Sequence, residues 1–273
     1  MSWRRGVKTA LRTCGLYEPI DTARQAVVRR EMWRQMRRER RFYRQLIRPG
    51  DLAFDIGANI GWKAYVFRKL GARVVAVEPQ PACLQRLRDR FEGDRHVCLV
   101  GQAVGSEPGA ATMWVSGSSD ISSLNPQWIE AVKASGRLAD REWSQQIEVP
   151  LTTLDQLIAR YGRPRFCKID VEGYEPQVLA GLTSPLAAIS FEFTPELMDA
   201  ALACLDRLAV LGDYRFNWAR MEGDPIRWEL ADWLDAPSMQ DHLRRQGPGT
   251  AMWAGGDLYA RLESPTSLSN PPA

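Results

Sequence analysis

The chain reads as an α/β fold with a doubly wound, mostly parallel, Rossmann-like sheet and a helical extension at its N-terminal end. Three observations predict this. Short apolar, β-branched runs alternate with amphipathic stretches of helical period from residue 52 to residue 100. A glycine loop, Asp55-Ile-Gly-Ala-Asn-Ile-Gly61, closes the first of those runs. A second strand–helix–strand series follows over residues 166–193. In chain order, residues 23–47 read as a helix stopped by Pro49-Gly50, after a basic leader over 1–22. A strand over 52–55 leads through the glycine loop into a helix over 60–70, ended by Gly71. Strands are expected over 73–78 and 96–100, with a helix over 81–91 between them. Residues 110–115 and 147–151 read as edge strands flanking a polar stretch and a short helix over 128–134. The alternation resumes with a helix over 153–161, a strand over 166–170, a helix over 174–182 and a strand over 188–193. A helix over 196–211 and a last strand over 257–262 complete the reading. The expected division is therefore an extension over 1–47, one catalytic domain over 48–263, and a disordered tail over 264–273.

Bulk properties narrow the class. A chain of 273 residues with 45% hydrophobic and 25% charged residues is an ordinary globular composition. No run of about 18 apolar residues exists, so no transmembrane segment is expected, and the Arg-rich start lacks the apolar core of a secretory signal. Five scattered cysteines without a CxxC spacing suit reduced thiols and a cytoplasmic protein. With two histidines, a zinc site or a histidine-based mechanism is excluded in practice, and no metal ligand is assigned. The net charge of +3 is uneven: residues 1–50 hold 14 Lys/Arg against 4 Asp/Glu, a surplus of ten, and the rest carries a deficit of seven. Such an arm could meet nucleic acid or an anionic membrane surface. However, Met32, Trp33, Met36, Phe42, Tyr43 and Leu46 recur at spacings that suit a helix packing on the following domain. Nucleic acid is not expected as a partner.

The chemistry is concentrated at three strand ends. In open α/β sheets ligands sit outside the carboxyl ends of the strands, at the switch point. Gly57 and Gly61 permit close backbone approach there, and the helix that follows offers free N–H groups. The spacing is G-x-x-x-G with Asp55 two residues before the first glycine, not the G-x-G-x-x-G of dinucleotide folds. A carboxylate would repel a pyrophosphate but suits a cationic amino group such as the methionine end of S-adenosylmethionine. Glu78 ends the second strand, about 20 residues on, where it can accept hydrogen bonds from ribose hydroxyls, and Pro79 then turns the chain. At the fourth strand, Lys168-Ile-Asp-Val-Glu-Gly173 alternates Lys168, Asp170 and Glu172 on one face if the strand continues.

The blocks from Ala53 to Gly61, Val77-Glu-Pro79, Leu151-Thr-Thr-Leu-Asp155, Lys168 to Gly173 and Val178-Leu-Ala-Gly181 together resemble the FkbM family of methyltransferases. The resemblance runs from about residue 40 to 194, with the K-I-D-V-E-G block as its distinguishing part. It implies a class I methyltransferase fold using S-adenosyl-L-methionine to methylate hydroxyl groups of sugars or natural products. By position, Asp55, Gly57, Ala58, Asn59, Gly61, Glu78 and Pro79 would hold the cofactor, with Gln102 and Ala103 beside the adenine and Asp170 near the sulfonium.

Methyl transfer from a sulfonium is an in-line displacement, so catalysis rests on positioning, with a base assisting a hydroxyl acceptor. With histidine scarce, Asp170, Glu172 and Glu192 are the candidates for orienting the acceptor or taking its proton. Residues 116–145, polar at first and then carrying Trp128, are a candidate lid. Trp218, Trp228, Trp233 and Trp253 could supply a stacking floor for an acceptor. The alternatives are an N-methyltransferase, a non-catalytic or nucleic-acid-binding relative on the same fold, and an NAD(P)-dependent oxidoreductase. The acceptor's identity and any assembly into homo-oligomers stay open at this stage.

Overall fold

A computed structural model describes residues 17–220, 225–246 and 255–263, with side chains from residue 30 onward apart from that of Asp120. The expected leader lies mostly outside these residues, and the expected tail and Trp253 lie wholly outside them. The long helix α1 (Tyr17–Tyr43) enters a seven-stranded sheet through a tight turn. The sheet is built from β1 (Leu52–Ile56), β2 (Arg73–Val77), β3 (Val97–Val100), β7 (Phe166–Ile169), β8 (Ala188–Phe193), β9 (Tyr214–Ala219) and β10 (Gly256–Leu262). Its order is β3-β2-β1-β7-β8-β10-β9. All neighbours are parallel except β10, which runs antiparallel to both β8 and β9. The order reverses between β1 and β7, so the switch point lies at their carboxyl ends. A second sheet, β4 (Ala103–Val104), β6 (Gln145–Thr152) and β5 (Gly109–Val115), stands beside it.

Alternation along the strands explains why both faces are covered. Leu52, Phe54 and Ile56 of β1 face one way, with Cys167 and Ile169 of β7. There they meet α5 (Leu154–Tyr161), α6 (Glu175–Ala180), α7 (Met198–Leu211) and α8 (Ala236–Arg244). Ala53 and Phe166 face the other way, against α1, α2 (Trp62–Lys69) and α3 (Pro81–Arg90). The result is a three-layer α/β/α sandwich whose central strands are buried on both sides, as parallel sheets require. α4 (Pro126–Ala134) stands apart from both layers, with Trp128, Ile129 and Val132 forming a small core of their own.

Sequence expectation and structure differ at three elements and one face. β4, β9 and α8 were not expected; β4 has only two residues, and the sequence signal of the other two is diluted by polar residues such as Arg215, Asn217 and His242. Along α1 the apolar stripe packs only from Met36 onward. Met36, Phe42, Tyr43 and Leu46 are buried, but Met32 and Trp33 are 49% and 61% exposed. Buried Glu39 fixes the packed part, accepting hydrogen bonds from Trp62 Nε1 and Lys63 Nζ in the first turn of α2.

Candidate active site

A cleft of about 330 Å³ opens at the switch point, within the usual range of ~300–1,000 Å³ for small-molecule sites. Its walls come from the β1 loop, the β2 end, the start of the small sheet, the β7 end and the tip of β8. Of the residues singled out from sequence, Gly57, Asn59, Glu78, Pro79, Gln102, Ala103, Asp170, Glu172 and Glu192 line it. Asp55, Ala58 and Gly61 do not. The Asp55 side chain lies on the α2 side of β1, buried, and accepts a hydrogen bond from the backbone N–H of Ala64 at 2.8 Å. Strand alternation forces this, because the residue before Ile56 must face the α1–α2 layer. Asp55 caps the start of a helix, and burial pushes its carboxyl up to about 6.

The loop itself is a run of left-handed backbone. Gly57 and Gly61 both have φ 80°, and Asn59, a non-glycine, has φ 47°. Gly57 is obligatory for a second reason: a Cβ there would lie 1.8 Å from the carbonyl oxygen of Asp170. The β1 loop and the β7 end are thus in backbone contact, which brings the two halves of the cleft together. The Asn59 N–H donates to Glu78 Oε2 and the Gln80 N–H to Glu78 Oε1, each at 2.8 Å. Glu78 is fixed at the cleft floor by both oxygens, and burial raises its carboxyl to about 7 against the pull of those two N–H groups.

At the β7 end the strand stops at Ile169, and Glu172 takes φ 55°. The expected shared face of Lys168, Asp170 and Glu172 therefore breaks: Asp170 and Glu172 reach the cleft, while Lys168 stays buried beneath it. Lys168 Nζ donates to Asp170 Oδ2 at 2.6 Å and lies 3.8 Å from Asp257 Oδ1 of β10. Burial works against ionising Asp170, but the Lys168 ammonium outweighs it and holds the carboxyl below the usual range. Glu192 is pushed well above that range, first by burial and then by the Glu172 and Asp170 charges. The two carboxyls in the cleft are thereby pushed in opposite directions, Asp170 down and Glu192 up. Oxygen atoms of Asp170, Glu172 and Glu192 all lie within 4.8 Å of one another, a donor set that could hold a hard divalent cation.

The segment read as a lid forms one wall. Ser119, Ser122 and Leu124 line the cleft, as do Trp128 and Arg137. Ser119 Oγ donates to Asn59 Oδ1, Gln80 Nε2 to the Ser119 carbonyl, and Ser122 Oγ to Gln80 Oε1. Ser123 Oγ and Asn125 Nδ2 donate to the carbonyls of Glu172 and Gly173, each at 2.6 Å. The wall is thus tied to both halves of the cleft. Of the tryptophans read as a stacking floor, the three among the described residues do not line it. Trp218 packs against Phe193 in the core, and Trp228 and Trp233 meet edge to face, with Trp228 beside Phe42 and Tyr259. Sequence reasoning missed Gln80, Arg137 and Asp257. Gln80 alone had a signal, being the residue just beyond Glu78-Pro79.

Among the described residues, no helix is long and apolar enough to cross a membrane. Comparison with known proteins shows the family. Residues 55–211 match the Methyltransferase FkbM domain. The hexuronic acid methyltransferase AglP of Haloferax volcanii is 30% identical over 170 residues, 59% of this chain and 64% of that protein. The chain thus spans just under two thirds of AglP. The 31-O-demethyl-FK506 methyltransferase FkbM of Streptomyces tacrolimicus is 29% identical over 203 residues, 66% of this chain and 77% of that protein. Among solved structures, precorrin-6Y C5,15-methyltransferase of Geobacter metallireducens is 12% identical with a TM-score of 0.42, covering 85% of this chain and 86% of that one. With the family domain lying over the loop, Glu78 and the β7 and β8 ends, the chain belongs to the FkbM family of methyltransferases.

Proposed function

We propose that this protein is an S-adenosylmethionine-dependent O-methyltransferase whose acceptor is a hydroxyl of a sugar or natural-product small molecule. The observation that carries the reading is the carboxylate cluster at the strand ends. Lys168 Nζ donates to Asp170 at 2.6 Å and holds it below the usual carboxylate range, beside Glu172 and Glu192 in the same cleft. A hydroxyl acceptor benefits from a carboxylate placed to take its proton, whereas an amine needs little beyond a neutral lone pair. The names of two relatives support the acceptor class, one acting on a hexuronic acid and one on the 31-O position of a macrolide scaffold.

The donor set fits the cofactor. Glu78 would offer a fixed carboxylate to ribose hydroxyls, Gln102 and Ala103 would lie near the adenine, and the loop at Gly57 and Asn59 would hold the methionine end; all five line the cleft. S-adenosylmethionine supplies an electrophilic methyl on a sulfonium. Asp170 then orients the acceptor hydroxyl and takes its proton as the oxygen attacks, with Lys168 stabilising the carboxylate from below. Glu172 and Glu192 line the same cleft and would help to orient the acceptor.

Asp170→Asn should leave S-adenosylhomocysteine binding within a few fold and lower kcat by roughly 10²–10⁴ on a hydroxyl acceptor. Methyl transfer from labelled cofactor to a panel of sugars, macrolides and amines reads this out. Turnover that is unchanged in the variant, or confined to amines, refutes the assignment.

A further inference from the structure

The methyl-transfer site leaves the arginine-rich helix unexplained. Arg30, Arg34, Arg37, Arg41 and Arg44 recur at alternating steps of four and three along α1 and into the turn after it, and all five are exposed. At about 100° per residue they fall within an arc of roughly 80°, and fourteen residues of helix spread them over about 21 Å. The packed side of the helix, through Met36, Glu39 and Tyr43, lies on the opposite flank. Seating α1 on the body therefore turns the whole row outward. None of the five is ion-paired to a described residue.

Two further observations extend the patch. Trp33 lies at the edge of the same arc and is 61% exposed. Beside the row an open groove of about 900 Å³ is lined by Arg40, Arg41 and Arg44 of this segment and by Arg227 and Trp228 across from them. The contacts also fix the direction of α1. Glu39 meets the first turn of α2 and Tyr43 meets Phe67 one turn further on, so the two helices run side by side in the same sense. The turns of α1 before Glu39 consequently continue past the cleft end of the sheet.

We infer that this face docks on an anionic phospholipid surface. A straight row of guanidinium groups matches a plane of phosphates, and each contributes independently within a Debye length. An exposed tryptophan at the row's edge is the side chain that settles at a bilayer interface. A nucleic-acid reader would mix in amide or hydroxyl side chains for base edges. The row itself is arginine with one edge tryptophan, and the neighbouring amide, Gln45, is already engaged, donating to the Phe42 carbonyl and accepting from Trp228 Nε1. The rest of the chain carries a deficit of seven charges, so attraction to an anionic surface is confined to this face and orients the protein on it.

The test is co-sedimentation of the full chain with phosphatidylcholine vesicles, with and without phosphatidylglycerol. Binding is expected only with phosphatidylglycerol, weakening as salt rises from roughly 0.05 to 0.3 M. Arg34→Glu, Arg37→Glu and Arg41→Glu together should weaken it at least about 100-fold, from roughly fivefold per positive charge removed. The triple change Arg160→Glu, Arg244→Glu and Arg245→Glu, on helices of the opposite layer, should leave it within about threefold. Trp33→Ala should weaken binding severalfold without changing the salt dependence. All six arginines are exposed, and thermal melts of both triple variants check that the fold survives. Equal binding to both vesicle types, or retention by the α1 triple variant, overturns the inference. Tighter binding to a short duplex than to phosphatidylglycerol vesicles at equal salt overturns it in favour of nucleic acid.

Discussion

Glu78→Gln is the sharpest test of the cofactor half of the cleft. In the structure both carboxylate oxygens already accept from fixed backbone N–H groups, those of Asn59 and Gln80, at 2.8 Å. An amide in the same place must turn its NH2 toward one of these donors, whichever way it is flipped. One buried N–H then loses its acceptor, at a cost of about 1–3 kcal/mol. If the same carboxylate receives the ribose hydroxyls, removing its charge forfeits a further ~1.5–3 kcal/mol of binding, or roughly 10- to 150-fold in affinity. The pH dependence sets a second, independent expectation. Burial raises Glu78 from 4.5 to about 7 in the folded protein, so between those values the folded state holds a proton that the unfolded state releases. Its contribution to stability is complete below the unfolded value and is lost as pH rises through about 7, a change on the order of 3 kcal/mol. Cofactor affinity moves the other way, because only the ionised form accepts two hydroxyl hydrogens. Titration calorimetry with S-adenosylhomocysteine and thermal melts, both between about pH 4.5 and 8, read the two slopes. Rising affinity with falling stability is expected for the parent chain; in Glu78→Gln the affinity slope should flatten and the stability slope become shallower, Asp55 and Glu175 being raised by burial as well, to about 6 and about 7. A variant that binds within threefold of the parent at the upper pH, or a parent affinity indifferent to pH, refutes the reasoning.

Gly57→Ala forces a side chain into the Asp170 carbonyl and a left-handed φ on alanine; a loss of about 2 kcal/mol or more in denaturant melts is expected, with cofactor binding abolished. Asp55→Ala removes a helix cap and not a ligand contact, so it should cost ~0.5–2 kcal/mol of stability while changing S-adenosylhomocysteine affinity far less than Glu78→Gln does. Lys168→Met leaves Asp170 and Asp257 without their shared cation; stability should fall by about 3–5 kcal/mol, and the pH–rate profile of the surviving enzyme should move to higher pH.

Much of this was legible in the sequence, and the reasons differ by element. The β1–α2–β2 unit is local, so periodicity and a glycine loop disclose it, and Glu78 follows from strand length. Asp55 was visible as a residue but not in its direction. A one-residue difference in where a strand faces decides between ligand and helix, and the loop spacing does not carry that information. The strand over 257–262 was legible, but the places of β9 and β10 in the sheet were harder for a similar reason. Their neighbours are set by tertiary order, with β10 inserted between β8 and β9, and Asp257 acquires its meaning only through that insertion. The split between Asp170 and Glu192 depends on a lysine two residues away from one of them and on a strand more than sixty residues later, which no spacing rule connects.

That insertion has a consequence for how the protein is made. A ribosome delivers β8 and β9 before β10, so for a time both present bare hydrogen-bonding edges, and Lys168 faces the site with half of its counter-charge missing. A chain cut short before Gly256 would have every loop of the cofactor cleft and still expose two strand edges capable of pairing with a neighbour's. The antiparallel strand therefore works as a keystone, set last, and premature termination or slow translation near the 3′ end of the message should yield aggregate in place of partially active enzyme.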